Sequence, residues 1–73
     1  MRIVSQDEII DIPYENVMLQ ANCGVVWCFS KDFFQNNKKA LGNYETQERA
    51  IEILKDIRKN YGFGRTRYEM PQK

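Results

Sequence analysis

Histidine is absent from the 73 residues, and the nucleophiles that remain have no base beside them. Cys23 and Cys28, with four residues between them, have no histidine to activate a thiolate or to complete a common zinc site. In an intracellular chain they read as reduced thiols. Ser5 and Ser30 lie in no nucleophile-elbow pattern, and no glycine-rich loop ends in Lys-Ser or Lys-Thr. Asp7 with Glu8, and Asp11 with Glu15, could in principle flank a substrate, but acids of turns and strand surfaces explain them more simply. The expectation is therefore of a chain with no catalytic residues, no metal and no cofactor.

The residues that remain are suited to contact rather than catalysis. Val25 to Phe29, VVWCF, is apolar on both sides, as in a central strand covered on two faces. One helix can cover only one of those faces. The other must be closed by Phe33 and Phe34 from the next loop, by a second copy, or by a partner. Trp27, Phe29, Phe33, Phe34 and Tyr44 supply aromatic surface of the kind that anchors interfaces, and Trp27, Phe29, Phe33 and Phe34 form the candidate partner-binding set. The competing explanation is that each is simply core.

A different chemistry is suggested by YGFGRTRY, residues 61–68, which partly matches an RNA-recognition octamer through Gly62, Phe63, Gly64 and Tyr68. Arg58, Lys59, Arg65 and Arg67 could meet phosphates, and Phe63 or Tyr68 could stack on a base. That motif belongs on an internal strand of a fold with two helices, whereas here one helix precedes a last strand. The competing explanation is that the glycines release the helix and the arginines sit in water.

These residues must be positioned by a small number of elements. Thr46 to Tyr61 is the only segment with a sustained helical period: Ala50, Ile53, Leu54, Ile57 and Tyr61 share one face, opposite Glu48, Glu52, Lys55, Asp56 and Lys59. Thr46 can cap the first turn, and Gly62 can take a left-handed stop. Strands are expected at 2–4, 10–14, 17–21 and 25–29, with a weaker candidate at 40–44 and a last one at 66–70. Asn22, Cys23 and Gly24 make a hairpin turn, and Pro13 puts its strand at an edge or a bend. The expected architecture is one α+β domain over residues 1–73: an antiparallel sheet of four or five strands, a helix over about 46–61 packed on one face, and a short strand after it.

Composition is that of an ordinary globular chain, 42% hydrophobic and 29% charged. The net charge of +1 conceals −3 over residues 1–37 and +4 over residues 38–73, an asymmetry able to steer association. No apolar run approaches a membrane span, and MRIVSQDEII lacks a signal peptide's apolar core, so a cytoplasmic location is expected. At this length a domain buries about 60% of its unfolded surface and gains from a partner or a homodimer.

The opening MRIVSQDEIIDIPYE, the segment YETQERAIEIL at the helix start and the closing YEMP together resemble a group of short proteins of Gram-positive bacteria and their phages and prophages. The resemblance covers the two ends of the chain, and residues 18–41 diverge. It implies a common architecture and a genomic setting, that of an accessory protein in the host cytoplasm which binds, inhibits or redirects a host or defence component in an anti-CRISPR-like manner. It implies no reaction and no catalytic residue. Nucleic-acid binding through the basic C-terminal third and self-association remain the alternatives.

Overall fold

A computed structural model describes residues 1–30 and 38–73. The elements follow the order β1 (Arg2–Val4), β2 (Asp11–Pro13), a 3-10 turn (Tyr14–Asn16), β3 (Val17–Asn22), β4 (Val25–Ser30), β5 (Lys38–Asn43), α1 (Gln47–Gly62) and β6 (Arg67–Glu69). The fold is α+β, with the final strand after the helix as expected. The strands divide between two three-stranded sheets, β2-β1-β6 and β3-β4-β5, rather than joining in one. The first is mixed: β2 pairs antiparallel to β1, but β6 returns parallel to it, setting Ile3 beside Ile12 and Tyr68. A parallel return requires a crossover, which α1 supplies.

The second sheet is fully antiparallel, with β4 at its centre. Cys23 (φ 52°) and Gly24 (φ 79°) form a two-residue loop with both residues left-handed, so Asn22 stays in the strand and Cys23 takes the positive angle expected of it. A Cβ on Gly24 would lie 2.7 Å from the Tyr44 carbonyl oxygen, which explains the glycine there. Between Gly42, opposite Val26, and Ala40, opposite Trp27, Leu41 is left as an extra residue in β5. The bulge turns Leu41 into the core, where it is fully buried.

α1 packs on β3 and β4. Thr46 caps it, its hydroxyl accepting from the Arg49 N–H at 3.1 Å. Ala50, Ile53 and Ile57 are fully buried and Leu54 partly so, each isoleucine contributing about 1.5–3 kcal/mol of apolar burial. Tyr61 departs from the expected buried face. It is 46% exposed and stacks on Tyr14, with ring centroids 4.6 Å apart. The helix also runs through Gly62, and the left-handed residue is Gly64 (φ 76°), because the turn closes one step later through Gly64 N–H to the Tyr61 carbonyl.

Gln6 joins the two sheets. Its N–H donates to the Leu41 carbonyl (2.8 Å), and its side chain accepts from Asn43 N–H (2.7 Å) and donates to the Pro71 carbonyl (2.9 Å). The end of β1, the outer edge of β5 and the C-terminal segment therefore meet on one amide.

Candidate partner-binding face

In an antiparallel pair directly opposed residues share a face. Val26 opposes Ala21, and Cys28 opposes Leu19; this is the face on which α1 lies, and Val26 and Cys28 are buried there. The other face carries Val25, Trp27 and Phe29 in β4, Met18 and Gln20 in β3, and Lys38 and Ala40 in β5. Trp27 and Phe29 are half-buried, and Met18, opposite Phe29, is 57% exposed. Lys38 Nζ stands 4.4 Å from the Trp27 ring centroid, within cation–π range. Among the described residues no helix covers this side.

Of the four residues expected to bind a partner, the structure puts Trp27 and Phe29 two residues apart on one face, which no helix covers among the described residues. Phe33 and Phe34 lie outside the described residues. Tyr44 is no part of the surface: it is 6% exposed, its hydroxyl donates to the Pro71 carbonyl at 2.7 Å, and burial pushes its pKa up to about 12. Met18 and Lys38 were missed. The alternation of β3 does set Met18 apart from Val17, Leu19 and Ala21, but its place beside Phe29 depends on register, for which periodicity carries no signal.

The basic segment is less united than its sequence suggests. Phe63 is 69% exposed, with Lys59 Nζ 5.9 Å from its ring centroid, and Arg58 and Arg65 are exposed. Arg67 pairs with Glu69 at 2.9 Å. Tyr68 is not available to stack on a base, because its ring is in the core, 6% exposed, and its hydroxyl donates to Asp56 at 2.7 Å. Burial, then the Asp56 carboxylate, drives the Tyr68 pKa upward.

The carboxylates considered for catalysis hold local structure. Asp7 accepts from the Ser5 hydroxyl and from Ile9 N–H, which together hold its carboxyl below the usual range; Asp11 pairs with Arg2 at 2.8 Å; Glu15 is lowered by the Met1 ammonium. Cys28 is buried, which raises its thiol pKa, and Cys23 is exposed at the hairpin turn. No group of three or more metal-ligating side chains occurs among the described residues. No helix among them is long and apolar enough to cross a membrane.

Comparison with family models, with curated proteins and with solved structures gives no match.

Proposed function

We propose that this chain is a non-catalytic protein-binding module that presents the outer face of β3-β4-β5 to a partner. One observation carries the reading: Trp27, Phe29 and Met18 form an apolar patch opposite the helix-covered face, rimmed by Gln20 and Lys38. An aromatic centre with a polar rim is the usual anatomy of a contact surface. The resemblance to short phage and prophage proteins supports the setting, an accessory factor in the bacterial cytoplasm that inhibits or redirects a host or defence protein.

The test is capture from a Gram-positive lysate by the tagged protein and by its Trp27→Ala and Lys59→Ala variants, each first shown to fold by circular dichroism. Trp27→Ala loses the captured protein and Lys59→Ala keeps it. The opposite pattern removes the reading.

A second reading, nucleic-acid binding through Arg58, Lys59, Phe63 and Arg65, is favoured by the exposed Phe63 ring beside Lys59. It requires capture that nuclease abolishes and affinity that falls steeply with salt, as counterion release dictates.

A further inference from the structure

The sheet β3-β4-β5 has two outer edges, and they are treated differently. The edge of β5 is occupied: Gln6 bonds the Leu41 carbonyl and the Asn43 N–H, and Lys38 and Lys39 stand at its other end. In the other sheet β2 carries Asp11 and Pro13, and β6 carries Arg67 and Glu69. Charge and proline are the usual guards against strand pairing. The six residues of β3, VMLQAN, contain neither.

Three observations orient the backbone of β3. The two-residue turn at Cys23 and Gly24 makes Asn22 and Val25 a hydrogen-bonded pair, so alternation aims the backbone groups of Met18, Gln20 and Asn22 at β4 and those of Val17, Leu19 and Ala21 outward. The Ala21 carbonyl accepts from Gln47 Nε2 at 3.0 Å. Val17 N–H donates to the Tyr14 carbonyl. Two outward groups, Val17 N–H and the Ala21 carbonyl, are thus satisfied within the chain. Among the described residues, the Val17 carbonyl, both groups of Leu19 and Ala21 N–H have no partner.

That remainder is self-complementary. We propose that the edge of β3 pairs antiparallel with the same edge of a second copy, about a two-fold axis at Leu19. The two Leu19 residues exchange both of their bonds, and Ala21 N–H of each copy donates to the Val17 carbonyl of the other. The next positions of such a ladder would pair Val17 N–H with the Ala21 carbonyl, the two groups already engaged within each chain.

Side chains agree with the register. Met18 falls opposite Gln20, Val17 opposite Ala21 and Leu19 opposite itself, with no charge at any position. Beside this edge lies a groove of about 180 Å³ lined by Tyr14, Val17, Leu19, Leu54 and Arg58, and the half-buried Leu19 and Leu54 are covered by the second Leu19. Two three-stranded sheets become one of six strands, and the Trp27 faces of both copies lie on the same side. This pairing stands apart from the partner reading above, since it uses the edge of the sheet and not its outer face.

The decisive reagent replaces one outward N–H with N–CH3 and leaves every side chain in place. Ligating residues 1–22 to residues 23–73 at Cys23 gives the full chain with an N-methyl group on Ala21. Light scattering across a concentration series should show the unmodified chain passing from one-chain to two-chain mass, and the N-methyl chain, with an unchanged circular dichroism spectrum, staying at one. A one-chain mass for the unmodified protein at millimolar concentration overturns the proposal, as does a folded N-methyl chain that still doubles. Should the modified chain fail to fold, amide exchange of the unmodified protein decides. Leu19 and Ala21 must gain protection with concentration while Met18 and Gln20 are protected throughout; doubling without that gain places the interface elsewhere and overturns the proposal.

Discussion

Replacing Gln6 with Ala removes the amide on which β1, β5 and the C-terminal segment converge. Two well-formed bonds are lost, from Asn43 N–H at 2.7 Å and to the Pro71 carbonyl at 2.9 Å; a third, to the Gln72 carbonyl at 3.2 Å, is exposed. The groups left behind are not stranded, because Asn43 is exposed and Pro71 still accepts from the Tyr44 hydroxyl. The cost is then the net value of two bonds, about 1–2 kcal/mol, without the larger penalty of a buried unpaired group. A chain of this length has about 4–11 kcal/mol in total, so the loss is a substantial share and lowers Tm by about 5–15 °C. Thermal and urea unfolding followed by circular dichroism read it, with Gln20→Ala, an exposed glutamine of β3, as the control. Gln6→Glu keeps the acceptor for Asn43 and loses the donor to Pro71, so it should fall between the two. If Gln6→Ala unfolds within about 0.5 kcal/mol of Gln20→Ala, the range of an ordinary surface change, Gln6 is not what joins the sheets.

Two glycines should respond with opposite sign. A Cβ at Gly42 would lie 2.8 Å from Cε2 and the hydroxyl of the buried Tyr44 ring, so Gly42→Ala should cost about 1–3 kcal/mol of overpacking, whereas Gly62, at the end of α1 with nothing within 4 Å, should gain up to about 1 kcal/mol as Ala; equal urea midpoints would contradict both. Alkaline pH should destabilise the fold. Tyr44 and Tyr68 have folded pKa values above the unfolded value near 10, so their contribution is whole below about pH 10 and is lost as pH rises through the folded values, about 12 for Tyr44. Tyr44→Phe should flatten the fall in urea midpoint between about pH 10 and 12, and an unchanged slope would refute the assignment.

Periodicity and capping were legible in the sequence because both are local. The repeat of Ala50, Ile53 and Ile57, the Thr46 hydroxyl placed to cap the first turn, and the alternation from Val17 to Ala21 each depend on residues a few positions apart. The same locality made the two-sided character of VVWCF readable, and with it the expectation that the helix leaves one of its faces uncovered; that the helix takes the Val26 and Cys28 face was decided by the tertiary structure. What a local pattern cannot carry is pairing between distant strands. Nothing in Arg2–Val4 or Arg67–Glu69 announces that they run parallel, and that pairing, which buries Tyr68 against Ile3, is what takes Tyr68 away from the basic surface.

The amino-acid sequence by itself determined the helix, the strand candidates and the hairpin turn, since each follows from the type and spacing of neighbouring residues. The tertiary structure alone decided how the strands divide into two sheets, which aromatic residues are core and which edge of β3-β4-β5 is left unpaired among the described residues. Gln6 and Leu41 meet across 35 positions of chain, and Gln47 reaches the Ala21 carbonyl across 26. Those bonds form only when the whole chain has closed, and they decide which edge groups of β3 and β5 are satisfied within the chain.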